Sequence, residues 1–312
     1  MTVRARAKVN LGLEVLGRRA DGYHELRSLL WAIDLADWVS LEVSPEGIAV
    51  ECDAAGIPSG RDNLAWRAAD LVQRETGILA GVRIRIHKAI PAAAGLGGGS
   101  ADAAAVLVGL GPLWGIRPPR AQLQTFATAL GMDVPFFLGH GPALAVGRGE
   151  RLRPVPGVRT APPVPLVVVN PGFPLATREV YGALGPADFS DGTRVTALVA
   201  AVRRGRLALG PRVFNGLEGP VARLWPGLAE VKAALCDAGA LAAVMSGSGP
   251  TVVGIARSRA AAARIQEALG RQPWRTWVTH TVTGPALSVV DERVPTGQDG
   301  SAARRRWGVA KR

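Results

Sequence analysis

The run Pro91, Ala92, Ala93, Ala94, Gly95, Leu96, Gly97, Gly98, Gly99, Ser100, Ala101 constrains this chain more than any other stretch. Four of the five residues from 95 to 99 are glycine, and an alanine-rich, helix-forming run over 101–110 follows at once. Glycine leaves backbone N–H groups unobstructed and accepts positive φ. A helix starting behind such a loop aims its unpaired N-terminal amides into it. Together they make an anion site suited to a polyphosphate, with Ser100 expected as the N-cap and its hydroxyl near a phosphate or Mg²⁺. The pattern is not a Walker loop, because no Gly-Lys-Ser/Thr follows. Nor is it a dinucleotide fingerprint, because Ser100 stands where a third glycine is needed. A turn that only caps a buried helix would use the same glycines, so the loop by itself leaves both readings open.

The surrounding pattern is mixed. Over 6–15 the residues alternate, with Ala7, Val9, Leu11, Leu13 and Val15 on one face and Lys8, Asn10 and Glu14 on the other. This predicts a strand that places Lys8 and Asn10 side by side, away from the core. Further strands are expected at 29–33, 38–43, 82–87, 143–146, 166–170, 242–245, 251–256 and 276–282. Helices are expected at 62–75, 120–130, 194–204, 217–237 and 260–269, with a short one at 134–136. Five prolines between Pro154 and Pro165 mark a linker. Strands and helices without strict alternation predict an α+β fold rather than a doubly wound sheet.

Charge and composition exclude some classes of function. The formal charge is +12, yet five of the basic residues (Arg304, Arg305, Arg306, Lys311 and Arg312) lie in the last twelve positions. The body is only moderately positive, which favours small anionic substrates over nucleic acid. No apolar run is long enough to span a membrane, and no leader pattern opens the chain, so a cytoplasmic enzyme is expected. Cys52 and Cys236 form no C-x-x-C pair, and His24, His87, His140 and His280 have no zinc-ligand spacing.

Two further segments accompany the glycine loop in order. Ala7-Lys8-Val9-Asn10-Leu11-Gly12-Leu13 precedes it, and Met245-Ser246-Gly247-Ser248-Gly249-Pro250-Thr251 follows. The three together resemble the motifs of the galactokinase, homoserine kinase, mevalonate kinase and phosphomevalonate kinase superfamily. Finer segments resemble the diphosphocytidyl-methylerythritol kinases within it: Gly17 through Leu26 with Asp21-Gly22-Tyr23-His24, Gly131-Met132-Asp133-Val134-Pro135, Gly147-x-Gly149-Glu150 and Asn215-x-Leu217-Glu218. The resemblance implies a two-domain α+β kinase fold. A ribosomal-protein-S5-like N-terminal domain would span 1–155 and a ferredoxin-like C-terminal domain 164–290, with a basic, disordered tail over 291–312. It also implies ATP and Mg²⁺, and transfer of a phosphoryl group to the 2-hydroxyl of 4-diphosphocytidyl-2-C-methyl-D-erythritol in non-mevalonate isoprenoid synthesis.

Carried onto this sequence, the resemblance makes Asp133 the base that accepts the substrate's hydroxyl proton and Lys8 the cation beside it. Alone, Asp133 reads more readily as the N-cap of the short helix at 134–136, and Lys8 as a solvated strand lysine. ATP would lie along Pro91, Gly95, Leu96, Gly97, Gly98, Gly99, Ser100 and Ala101, with Asn63 and Lys88 flanking the adenine. Asn10, Tyr23, His24 and Tyr181 would hold the cytidine substrate. Asp102 suits either a helix-start cap or a water-mediated Mg²⁺ contact. Ala92, Ala93 and Ala94 replace glycines often found there, which stiffens the loop entry. The rival readings are a kinase of the same superfamily acting on mevalonate, homoserine or a sugar, and a non-catalytic sensor or nucleic-acid-binding protein on that scaffold. The Asp21-Gly22-Tyr23-His24 segment argues against the first, and intact Lys8, Asp133 and glycine loop against the second.

Overall fold

Long apolar alternation at the start of the chain becomes two very long strands. The computed structural model describes residues 1–158, 162–205 and 209–290; the expected tail and the middle of the proline-rich linker lie outside them. The chain runs β1 (Thr2–Arg18), β2 (His24–Ser44), β3 (Ile48–Cys52), α1 (Leu64–Thr76), β4 (Gly81–His87), α2 (Gly98–Trp114), α3 (Arg120–Leu130), α4 (Val134–Phe137), β5 (Ala143–Gly147) and β6 (Arg151–Pro154). It continues through β7 (Pro165–Asn170), α5 (Thr177–Gly182), α6 (Thr193–Arg203), β8 (Phe214–Asn215), α7 (Glu218–Leu224), α8 (Gly227–Asp237), β9 (Ala242–Met245), β10 (Val252–Ile255), α9 (Arg259–Ala268), β11 (Arg275–His280) and β12 (Leu287–Val290). Helices and strands mix as an α+β fold requires.

Two sheets organise these elements. The first has the order β12-β1-β2-β4-β3, with β5 and β8 branching onto β2 and β1 and β6 pairing β5. The second is antiparallel, in the order β11-β7-β10-β9. In chain order that is 4-1-3-2, the arrangement of a split βαβ sandwich. The last strand, β12, pairs with β1 and returns to the first sheet. A boundary at 290 therefore places in the second domain a strand that belongs to the first. One buried cluster also spans both sheets, joining Val9, Leu11 and Trp31 to Leu166, Val168 and Val253. The alanine-rich helix α2 is buried without a break from Ala101 to Leu107, including Ala103, Ala104 and Ala105. Small side chains let it lie close to the sheet: a Cβ on Gly109 would fall 2.1 Å from Leu41 Cδ1.

Four expectations are corrected. The strands at 29–33 and 38–43 are one continuous β2. The helix at 217–237 is split, because Pro226 pushes Trp225 into the extended region (φ −144°, ψ 96°) and ends α7 there. Ser100 is not the N-cap of α2; Gly97 is, with φ 72°, and the helix starts at Gly98. The polar face of β1 does not point to water. Lys8 is 3% exposed, Asn10 5% and Glu14 0%, because the second domain and the glycine loop cover that face.

Candidate active site

A single cleft of about 1460 Å³ opens between the glycine loop, the polar face of β1 and the segment around α5. Its wall includes Lys8, Asn10, Tyr23, His24, Pro91, Gly95, Gly97, Gly98, Gly99, Ser100, Asp133 and Tyr181. Twelve residues expected from distant parts of the sequence thus converge on one site. Four do not reach it. Leu96 and Ala101 are core residues, 1% and 0% exposed. Leu96 still contributes through its carbonyl, which accepts the Lys8 N–H at 2.9 Å. Asn63 is the N-cap of α1: its Oδ1 accepts from Ala65 N and its Nδ2 donates to Pro58 O. Lys88 is sealed between Asp37 and Asp102, away from the cleft. Asp102 shares that burial, at 3% exposure, and does not line the cleft.

The loop conformation explains which glycines are obligatory. Gly95 and Gly97 have φ of 74° and 72°. A Cβ on Gly95 would lie 2.1 Å from the carbonyl oxygen of Ser246, and one on Gly97 2.9 Å from Phe137 Cζ. Gly98 lacks positive φ, but a Cβ there would press on Ile90 at 2.9 Å and Lys88 Nζ at 3.1 Å. The third motif is locked against this loop. Ser246 Oγ accepts from Asn10 N and donates to Gly95 O. Asn215 Nδ2 donates to both Met245 O and Gly247 O, and Glu218 accepts from Met245 N. The Asn215-x-Leu217-Glu218 spacing is therefore the signal for a device that holds the third motif.

Lys8 and Asp133 meet inside the cleft. Lys8 Nζ lies 3.4 Å from Asp133 Oδ2, and the aspartate side chain is 39% exposed. Asp133 stands at the N-cap position of α4, yet its side chain makes no capping hydrogen bond. Its carboxylate is directed at the lysine instead, so the side chain does not act as a cap. A polar chain steadies the lysine. Lys8 Nζ donates to Asn10 Oδ1 at 2.7 Å, Asn10 Nδ2 donates to Ser28 Oγ, and Ser28 Oγ donates to Gly12 O. This chain of donors and acceptors fixes the Asn10 amide and holds the ammonium.

The far end of the cleft is aromatic. The His24 ring lies 5.4 Å from the Tyr181 ring and 6.1 Å from Phe189. The Arg148 guanidinium sits 5.0 Å from the centre of the Tyr23 ring. Burial, with the nearby charge of Arg18, lowers the His24 pKa and favours its neutral ring. Burial first, and then the Asp133 carboxylate, raise the Tyr181 pKa, so Tyr181 stays a neutral phenol. Such a wall has π-faces and both donor and acceptor groups, as a nucleobase requires. Phe189 lies in no motif, and Arg148 is the unspecified position of Gly147-x-Gly149-Glu150, so the motif reading named neither.

The same chain matches two sequence profiles, GHMP kinases N terminal domain over residues 63–141 and GHMP kinases C terminal over 197–276. It is 44% identical over 285 residues to the 4-diphosphocytidyl-2-C-methyl-D-erythritol kinase of Pelotomaculum thermopropionicum, covering 90% of this chain and 98% of that one. A crystal structure of 4-(cytidine 5'-diphospho)-2C-methyl-D-erythritol kinase superposes with a TM-score of 0.78 at 42% identity, over 91% of this chain and 100% of that one. The homoserine kinase of Cytophaga hutchinsonii shares the fold, with a TM-score of 0.71 at 24% identity over 93% and 97% of the two chains. Motifs, fold and relatives agree: the chain belongs to the 4-diphosphocytidyl-2-C-methyl-D-erythritol kinases, within the GHMP kinases.

Proposed function

We propose that this ATP-dependent kinase transfers the γ-phosphoryl group of ATP to the 2-hydroxyl of 4-diphosphocytidyl-2-C-methyl-D-erythritol, a step of non-mevalonate isoprenoid synthesis. The observation that carries the reading is the 3.4 Å Lys8–Asp133 pair, set in one cleft between a glycine loop and an aromatic wall. Phosphoryl transfer asks the protein for position and charge stabilisation more than for covalent chemistry. Asp133 accepts the proton of the attacking hydroxyl. Lys8 pairs with that carboxylate and balances charge developing on the transferred group. The amides of Gly97, Gly98 and Gly99 and the α2 N-terminus hold the ATP phosphates. Tyr23, His24 and Tyr181 hold the cytosine end, and Asn10 both steadies Lys8 and faces the acceptor.

Mg²⁺ fits this cleft in a limited way. Among the described residues no cluster of three His, Cys, Asp or Glu forms a metal cage. That donor set matches an ion carried chiefly by phosphate oxygens and water, with the Ser100 hydroxyl on the cleft wall as a protein contact. The ion would neutralise phosphate charge. Among the described residues no helix is long and apolar enough to cross a membrane, and we place the enzyme in the cytoplasm with no nucleic-acid partner. We take 1–155 and 164–290 as its two domains, with β12 lent back to the first sheet. An ADP-release assay tests the assignment. ADP should form with the cytidine substrate and at no more than about a hundredth of that efficiency with mevalonate or homoserine, a discrimination typical of a site with dedicated polar contacts. Equal rates with mevalonate would overturn it.

A further inference from the structure

Lys88 and Asp102 leave the binding surface but not the function. Lys88 follows β4 directly, and Asp102 lies one turn into α2, so the glycine loop is the segment between them. The Lys88 ammonium donates to Asp37 Oδ2 and, at 2.8 Å, to Asp102 Oδ2. Asp37, in β2 and fully buried, also accepts from Ala89 N at 2.7 Å and Ile90 N at 2.9 Å through its other oxygen. The loop's entry is thereby fastened to Asp37, its exit to Asp102, and one ammonium joins the two. All three side chains are nearly inaccessible, at 6%, 0% and 5% exposure.

We infer that Asp37, Lys88 and Asp102 form a buried strut that positions the phosphate loop for ATP, acting behind the loop rather than on the nucleotide. The inference rests on the ATP site of the proposed function. Three features support it beyond proximity. A buried set with two carboxylates and one ammonium leaves one acid without a cation of its own, which burial makes costly, so stability does not account for it. Asp102 Oδ1 is buried with no hydrogen-bond partner among the described residues, so this carboxylate is not there to complete a balanced network. And Gly98, the first residue of α2, leaves room for a contact with Lys88 that a Cβ would tighten to 3.1 Å. The ammonium therefore lies against Gly98, where α2 begins.

The strut makes a prediction that a merely structural ion cluster does not. Asp102→Ala removes the tie on the loop's exit and also removes the surplus charge, leaving a balanced Asp37–Lys88 pair. Melting temperature should hold or rise. ATP binding by calorimetry should nevertheless weaken about tenfold, the effect of losing one buried charge-assisted contact. Amides at 95–101 should exchange with solvent faster, whether or not ATP is present. KM for the cytidine substrate should stay within twofold. Asp102→Asn keeps the acceptor and should restore ATP binding to within twofold of the wild type. Two results would overturn the strut: unchanged ATP affinity and exchange in Asp102→Ala, or equal losses in the Ala and Asn variants. Binding and exchange are read without turnover. A wild-type enzyme that binds ATP but fails on the cytidine substrate would therefore refute the substrate assignment, while the comparison of variants still decides the strut.

Discussion

Lys8 and Lys88 are both buried lysines flanking the same loop, and they differ in what neutralises them. Lys8 has one aspartate, 39% exposed, and an amide oxygen. Lys88 has two aspartates with almost no exposure. A buried ammonium whose counter-ion opens on a cleft remains available to an incoming anion. One enclosed by two carboxylates is spent on its neighbours. Burial costs the Lys88 ammonium solvation, but Asp102 and Asp37 outweigh that and raise its pKa, so it stays charged throughout the working range. The two lysines are therefore alike in depth of burial and differ in the accessibility of their partners.

The sharpest way to break this comparison is to remove each charge. Lys88→Met leaves two buried carboxylates facing each other without a cation. Breaking a buried ion group from one side costs about 3–5 kcal/mol, so its melting temperature should fall on the order of 10 °C. Lys8→Met leaves Asp133 free to hydrate and strands no buried charge, only the Asn10 Oδ1 acceptor, so its melting temperature should fall by only about 2–5 °C. If the two variants lost stability alike, as read by thermal melts, the distinction would fail.

A smaller effect tests the surplus charge. Burial, partly opposed by the Lys88 ammonium, pushes the Asp102 pKa up from 3.8 to about 7. A folded-state pKa above the unfolded one means that the native protein holds the proton more tightly. The stability tied to Asp102 is thus full near pH 4 and is lost as pH rises through about 7. Asparagine mimics the protonated form at every pH. The advantage of Asp102→Asn over wild type should be small at pH 5 and grow to on the order of 2 kcal/mol by pH 8. Melts at both pH values would check it. An advantage that shrinks as pH rises would reverse the sign and contradict the burial argument.

These lysines also mark what was legible in the sequence. The loop glycines, Lys8, Asp133 and the Tyr23-His24 pair, which the fold brings to one cleft, stand out by motif. Period-two alternation found β1 and correctly set Lys8 beside Asn10. It could not tell that a second domain would cover the polar face, since alternation reports which side a residue takes and not what lies there. Lys88 sits beside an ATP motif, but its partners Asp37 and Asp102 come from β2 and α2 and meet it only on folding, while Asn63 binds locally, to Ala65 N and the carbonyl of Pro58. The edge strands β3 and β12 were missed because they are short and their pairing is set by distant neighbours. The break at Trp225 was present as Pro226, but the strong helical pattern on either side masked it.

The central claim is that Asp133 takes the proton while Lys8 steadies the charge, and one measurement addresses it directly. Asp133→Asn preserves shape at a residue whose side chain makes no capping bond and is part-exposed, so folding and both substrate affinities should be nearly unaffected. Asparagine cannot accept the hydroxyl proton. Steady-state kinetics with ATP, Mg²⁺ and the cytidine substrate, run beside thermal melts, should show kcat falling about a hundredfold or more with an unchanged melting temperature. Turnover close to wild type in a folded Asp133→Asn enzyme would contradict the account.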